Sequence, residues 1–316
     1  MRAIAVSKYG AKPTIMDLPD PRPAPGEVLI KVSAAGVNPM DRSIANGAWS
    51  AQMDATFPLI MGADVAGVVE AVGAGATRFS PGDKVFGQLV VPPLGSTGTY
   101  AERIAVAQDA NLAPIPVGME PDTAAALPTA GGTALQIFDR LGSLGGMTML
   151  LVGANGGVGS FLTQIAASAG ANVIAVARAS AAERLRTYGA VETVDYTKDS
   201  VMDHVRVGHP DGIDVLVDVA NDADAFAALA KLVRKGGTAL TTRYVADADA
   251  LAGVGITGVN FAVALTPQLL TRLAGEVVAG RITTPPIREV KLDEVPDLYS
   301  EDALLGDGKT VIDLST

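Results

Sequence analysis

The sequence predicts an α/β protein in two parts, a mostly β, barrel-like domain and a doubly wound parallel sheet, on three observations. Residues 1–120 hold short β-branched runs broken by Gly and Pro, and residues 121–261 alternate apolar strands with helices. Inside that second stretch, between a strand and a helix, lies LLVGANGGVGS, residues 150–160, with Gly153, Gly156, Gly157 and Gly159. At 316 residues the chain is long enough for two cores, because single cores seldom grow beyond about 250 residues. Hydrophobic residues make up 48% against 18% charged, so folding can bury enough apolar surface to offset chain entropy.

In chain order, AIAV, EVLIKVSAAGV, ADVAGVVEAVG, DKVFG and YAERIAV read as strands of a twisted, mostly antiparallel domain. The proline-rich DLPDPRPAPGE lacks N–H donors for a ladder and reads as an extended surface connection. EPDTAAALPTAGGTALQIFDRLG predicts a helix that Pro128 and the Gly131-Gly132 pair break in two. TMLLVG, NVIAVA, VETVDY, DVLVDVA and TALTT follow as strands, with VGSFLTQIAASAG, SAAERLRTYG and ADAFAALAKLVRKGG as the helices among them. Such continuous Val, Ile, Leu and Ala strands are buried on both faces, and intervening helices make them parallel. TGVNFAVAL, the helix TPQLLTRLAGEVVAG, an extended PPIREVKL and a closing TVIDL end the chain. These last pieces are like the first domain in texture. Residues 262–316 are therefore expected to complete domain 1–120, leaving 121–261 as the doubly wound domain.

Formal net charge is −10 with no run of Lys or Arg, which argues against nucleic acid or an anionic membrane surface as partner. The opening MRAIAVSKYG has too short an apolar run for a signal peptide, and no later segment approaches ~18 uninterrupted apolar residues. The expected location is the cytoplasm. Cysteine is absent, which removes disulfides, thiolate nucleophiles and zinc sites that use sulfur. The two histidines, His204 and His209, lie five apart beside a Pro-Asp-Gly turn and read as surface residues, so no metal site is expected.

Gly153, Gly156 and Gly159 form G-x-x-G-x-x-G, with Asn155, Gly157 and Val158 among them. Their use is a tight turn, close approach of a pyrophosphate to N–H groups at a helix N-terminus, and close helix–strand packing. An NAD site places a carboxylate on the ribose about 20 residues further on. Here NVIAVA ends in Arg178-Ala179-Ser180, with no acid. Arg178 and Ser180 can donate to a 2′-phosphate, and one charge-assisted hydrogen bond contributes about 1.5–3 kcal/mol, enough for an NADP preference. A solvated surface charge is the other reading of Arg178.

On AAGVNPMD (34–41), MGADVAGVVEAVG (61–73), FSPGDKVFG (79–87), GTYAERIAV (98–106), LPTAGGTAL (127–135) and VGANGGVGS (152–160), the chain resembles a known family. It is the zinc-independent quinone oxidoreductase, zeta-crystallin-like branch of the medium-chain dehydrogenase/reductase superfamily. The resemblance implies a GroES-like domain, a Rossmann domain, NADPH in a cleft between them, and a homodimer. Zinc-containing members read Gly-x-Cys-x-Ser/Thr-Asp and Gly-His-Glu where this chain has Gly36-Val37-Asn38-Pro39-Met40-Asp41 and Gly62-Ala63-Asp64. Without that Lewis acid, the expected chemistry is hydride transfer from NADPH to an acceptor that is already electron-poor, a quinone or an α,β-unsaturated carbonyl.

For the cofactor, the resemblance adds Tyr196 near the adenosine phosphate, Thr133 near the nicotinamide and Lys309 before the last strand. Their plain alternatives are a packed rim aromatic, a helix-start hydroxyl and a solvated end-of-loop charge. For the acceptor it points to Asn38 as a hydrogen-bond donor and to Asp41 as a group that holds neighbours or manages a proton; Asn38 before Pro39 also suits a turn. Trp49, in Gly47-Ala48-Trp49, stands where many relatives carry a tyrosine. Indole has no acidic proton, so Trp49 reads as an aromatic wall for a flat substrate or as a packed core residue. Two other functions fit the same residues: a dedicated enoyl or alkenal reductase of a biosynthetic pathway, and a non-catalytic NADPH-binding structural or sensor protein.

Overall fold

A computed structural model of the chain describes residues 1–299 and 307–315. Two compact units form, Met1–Gly132 with Leu265–Thr316, and Thr133–Ala264.

The first unit runs through β1 (Arg2–Val6), β2 (Thr14–Asp17), β3 (Glu27–Val37), α1 (Pro39–Ala45), β4 (Leu59–Ile60), β5 (Asp64–Val72), β6 (Lys84–Gln88), β7 (Arg103–Ala107), β8 (Leu112–Pro114) and α2 (Pro121–Ala126). The helix α3 (Pro128–Leu141) spans the division of the chain at Gly132. The second unit continues with β9 (Thr148–Val152), α4 (Gly157–Ser168), β10 (Asn172–Ala177), α5 (Ala182–Thr187), β11 (Glu192–Asp195), α6 (Val201–Gly208), β12 (Ile213–Asp218), α7 (Ala223–Ala230), β13 (Val233–Thr241), α8 (Ala248–Gly253) and β14 (Thr257–Asn260). Then α9 (Pro267–Val278), β15 (Ile287–Lys291), α10 (Val295–Leu298) and β16 (Lys309–Asp313) belong to the first unit again.

In the first unit, β2, β1 and β4 make a small antiparallel sheet. A seven-stranded sheet runs β15-β16-β3-β5-β6-β8, with β7 also on β3; only the β15–β16 pair is parallel. The long β3 pairs with β5 along Val28–Gly36 and, on its other edge, with β7 along Glu27–Lys31 and β16 along Ala34–Val37. Its alternation puts Val28, Ile30 and Val32 into the core with Val65, Val69 and Ile104. The helix α2 packs on β3, β5 and β16 of the first unit.

The second unit is a six-stranded parallel sheet, β11-β10-β9-β12-β13-β14. Counted along the chain this is the order 3-2-1-4-5-6, whose direction reverses beside β9, where ligands bind in such sheets. Leu150, Ile174, Leu216 and Ala239 are buried in its core, as continuous apolar strands require.

Two expectations need correction. The Gly131-Gly132 pair does not break the helix; it lies inside α3, and the break comes at Pro128. A Cβ on Gly131 or Gly132 would stand 2.7 Å from Leu273 or 2.4 Å from Leu265, so these glycines admit leucines against the helix. The helix expected across ADAFAALAKLVRKGG ends at Ala230, because Val233 already pairs with Ile213 in the parallel ladder. Among the described residues no helix is long and apolar enough to cross a membrane.

Candidate functional site

In the second unit, β9 delivers the chain to Gly153, whose φ of +82° turns it toward α4. The loop after β12 lies against this glycine, since a Cβ there would meet Val219 at 2.8 Å and Ala220 at 3.2 Å. Asp218, fully buried at the end of β12, fixes that second loop by accepting from the N–H groups of Ala220 and Asn221 and from Asn221 Nδ2. Gly159 is required by contact: its Cβ would stand 2.3 Å from Gly153 O and 2.5 Å from Ala154 Cα.

Gly156 is the N-cap of α4 and supplies no side-chain cap, while Gly157, Val158 and Gly159 form the first turn. Helix geometry leaves the first N–H groups without intrahelical acceptors. A Cβ on Gly156 would meet only Gly153 O, at 3.5 Å, an ordinary contact, so packing does not demand glycine at this position as it does at Gly159. Bare N–H groups at the positive end of a 12-residue helix fit a diphosphate. Asn155 Oδ1 accepts a hydrogen bond from Arg184 Nη2 on α5. Sequence reasoning missed Arg184, since no spacing rule connects α5 to the loop after β9.

Arg178 follows β10 and Tyr196 follows β11, and the parallel pairing of these strands brings the two residues together. Arg178 Nε donates to Tyr196 Oη at 3.1 Å, and Ser180 lies in the exposed 3-10 turn next to Arg178. Tyr196 is 51% exposed, so it is not a packed rim residue. Nearby Asp195 spends one carboxylate oxygen on Thr197, accepting from Oγ1 at 2.7 Å and N at 3.1 Å. Thr133 is buried in the body of α3, which rules out a helix-start hydroxyl.

In the first unit the structure joins Asn38, Asp41 and Lys309, and adds residues that sequence reasoning did not select. Lys309 is 4% exposed, not a solvated loop charge; its Nζ donates to Asn38 Oδ1 at 2.7 Å and Val37 O at 3.0 Å. Asn38 Nδ2 donates to Asp64 Oδ2 at 2.9 Å, and Lys309 Nζ stands 4.0 Å from that same oxygen. Asp64 also accepts from Thr129 Oγ1 at 2.6 Å, while Gln88 Nε2 donates to Thr129 Oγ1 at 2.7 Å. Burial pushes Asp64 above the usual carboxylate range and Lys309 below the usual amine range, and each charge opposes the shift of the other.

Both ends of the Asn38 amide are engaged and 3% of its surface is exposed, so in this structure Asn38 links Lys309 to Asp64. Asn38 is also the N-cap of α1, where its side chain caps nothing, but its N–H donates to Asp41 Oδ2 at 2.8 Å.

Asp41 Oδ2 takes a second hydrogen bond from Tyr100 Oη at 2.7 Å, and Tyr299 Oη donates to Tyr100 Oη at 3.4 Å. Burial raises Asp41 to about 7, the phenol bond of Tyr100 opposes the rise, and the nearby charge of Asp64 adds to it. Burial likewise pushes both phenols above their ordinary range, so they remain donors. A fully buried tyrosine needs a partner for its hydroxyl, and that rule would have flagged Tyr100 in GTYAERIAV had its burial been legible. Trp49 stands apart from this network, half-buried in the turn after α1 and packed on the core of the unit.

His204 and His209 share one carboxylate, with Nε2 atoms 2.9 and 3.0 Å from Glu192. Among the described residues no group of three or more His, Cys, Asp or Glu could hold a metal ion.

Two families match the chain: the alcohol dehydrogenase GroES-like domain over residues 24–117 and the zinc-binding dehydrogenase over residues 157–250. The quinone oxidoreductase of Mus musculus is 34% identical over 245 residues, covering 75% of this chain and 71% of that protein. The 2-methylene-furan-3-one reductase of Solanum lycopersicum is 30% identical over 281 residues, 87% of this chain and 68% of that protein. A mitochondrial NAD(P)H oxidoreductase of Mus musculus is 35% identical over 199 residues, 58% of this chain, and the match spans about half of that protein, 49%. Among solved structures, an alcohol dehydrogenase superfamily protein from Novosphingobium aromaticivorans has a TM-score of 0.83 at 28% identity, covering 99% of both chains.

Proposed function

Because the chain belongs to the quinone oxidoreductase-like branch of the medium-chain dehydrogenase/reductase superfamily, we propose that it transfers hydride from NADPH to a quinone or an α,β-unsaturated carbonyl, without a metal. The observation that carries the choice of NADPH is the set at the ends of β10 and β11, where Arg178, Ser180 and Tyr196 are exposed and no acid follows Ala177. When bound, the reduced nicotinamide supplies the hydride. The protein's own share is to bind and orient. The bare N-terminus of α4 takes the diphosphate, Asn155 is held by Arg184, and Arg178 with Ser180 reads the 2′-phosphate. Trp49 serves as a flat wall against a conjugated acceptor.

Binding of NADPH and NADH to the wild type and to Arg178→Ala tests this reading. Loss of one charge-assisted hydrogen bond, about 1.5–3 kcal/mol, corresponds to a roughly 10- to 150-fold weaker Kd for NADPH. NADH should change by less than about threefold. Equal losses for both dinucleotides, or turnover with NADH alone, refute the assignment.

The reductase of Solanum lycopersicum, similar across 87% of this chain, favours a second reading in which the acceptor is an enone and quinones are incidental. A panel of ortho-quinones, para-quinones and 2-alkenals, followed by oxidation of NADPH, separates the two. Tight cofactor binding with no turnover of any acceptor would point to a non-catalytic binder. A chelator that abolishes activity, with recovery on adding zinc, would refute the metal-free mechanism.

A further inference from the structure

A cavity of about 20 Å³ in the first unit is walled by Leu59, Met61, Gly62, Leu89 and Thr97, and among the described residues Asp41 is the only titratable side chain in its lining. The volume suits one water molecule. Asp41 is 2% exposed, and its two oxygens differ. Oδ2 accepts from Asn38 N–H and Tyr100 Oη, whereas Oδ1 is buried without a hydrogen-bond partner. A buried carboxylate oxygen with no donor is costly, but a protonated one becomes a donor that a water can accept.

We propose that Asp41 rests as a carboxylic acid with its proton on Oδ1, and that it passes this proton through a water in the cavity to the reduced acceptor. The inference rests on the reductase reading for its last step only. A quinone or enone that has received a hydride still requires one proton. The Oδ1–H bond breaks, an O–H or C–H bond forms on the acceptor with the water as relay, and solvent reprotonates the carboxylate. Trp49 cannot supply that proton.

Burial and the charge of Asp64 keep Asp41 neutral at rest, against the hydrogen bonds from Tyr100 and Asn38 and the charge of Lys309. From β5 comes Asp64; from β16, Lys309; from the segment before β7, Tyr100; and after α10, Tyr299, on which the half-buried Arg42 of α1 acts in turn. Lys309 is the one buried cation among them, and its ammonium is directed at Asn38, Val37 and Asp64. Gly62 makes the phenol contact possible, because at φ +93° its missing Cβ would stand 2.2 Å from the Tyr100 ring.

Infrared difference titration of the full chain, with Asp41→Asn as the reference, tests the resting state without any substrate. A carboxylic C=O band is expected below neutral pH, lost with a midpoint near 7 and missing from Asp41→Asn. In Tyr100→Phe the same midpoint should rise, since the phenol favours the ionised form; an unchanged midpoint refutes the assigned contact. Absence of the band at pH 6 overturns the proposal whatever the activity. In turnover with a quinone, the wild-type rate should fall above about pH 7, and Asp41→Asn should lose that fall. Its kcat should drop at least about 100-fold, the low end of general-acid contributions, with KM for NADPH within about twofold. An unchanged kcat and pH profile in Asp41→Asn eliminates the donor role. A normal band with no turnover of any acceptor refutes the reductase reading while supporting the resting acid.

Discussion

Replacing Lys309 by Met tests the buried network of the first unit directly. The substitution keeps an unbranched side chain of similar length in a site that is 4% exposed, and removes the hydrogen bonds to Asn38 Oδ1 and Val37 O. It also leaves the carboxylate of Asp64, fully buried, without the positive charge 4.0 Å away. Breaking a buried pair on one side costs about 3–5 kcal/mol, because the remaining charge stays desolvated. For a domain of this size each kcal/mol moves Tm by about 2–4 °C, so the first unit should melt about 6–20 °C lower. Thermal and urea unfolding at neutral pH measure the loss.

The sign with pH follows from Asp64, which burial already raises and Lys309 holds down. Without the ammonium, Asp64 rises further, and its protonation in acid removes the uncompensated charge, so the gap from wild type should narrow as pH falls. Adding Asp64→Asn to Lys309→Met should recover part of the loss. A loss below about 1 kcal/mol, the range of an exposed pair, or one that is independent of pH, would refute the argument.

Two further outcomes concern stability and the glycine loop. Asp41 is raised from 3.8 to about 7 in the fold, so the native state holds a proton that the unfolded chain releases. Stability from this group is fully present below about pH 4 and is lost as pH rises through 7, on the order of 4 kcal/mol in all. Urea unfolding between pH 4 and 8 should show that decline, and Asp41→Asn should flatten it; equal slopes in the two proteins would contradict the raised acid. Gly159→Ala places a Cβ 2.3 Å from Gly153 O, a backbone atom that cannot rotate aside. The loop must shift, at about 1–3 kcal/mol, and dinucleotide binding should weaken more than tenfold by calorimetry; unchanged Tm and Kd would remove the close-packing role of Gly159.

The second unit was largely legible in the sequence because its signals are local. NVIAVA is β10, residue for residue, TMLLVG is β9 but for its last glycine, and the glycine loop follows β9 into α4. The resemblance puts Tyr196 with Arg178 and Ser180, and parallel pairing of β10 with β11 is what brings Arg178 and Tyr196 into contact. Where sequence reasoning went astray, a tertiary contact prevailed. Gly131 and Gly132 look like breakers until Leu273 and Leu265 are seen against them, and Val233 leaves its helix for a ladder with Ile213. The first unit's network was the least legible part. Lys309 and Asn38 meet across 271 positions, and Tyr100 and Asp41 across 59, separations at which no periodicity carries information.

The two acids of that network differ in ways that decide which one ionises. Asp64 has four kinds of support: the ammonium of Lys309, the amide of Asn38, and the hydroxyl and N–H of Thr129. Asp41 has two hydrogen bonds on one oxygen and none on the other. A second buried carboxylate near a single buried cation would leave a net negative charge in low dielectric, where repulsion is strongest. The proton therefore settles on the acid with fewer donors. Asn38 ties the two halves together, giving its side chain to Asp64 and Lys309 and its backbone N–H to Asp41. Any change that withdraws the ammonium from Asn38 should raise Asp41 as well, so Lys309→Met should move the infrared midpoint of Asp41 upward; a fixed midpoint would show that the two acids titrate independently.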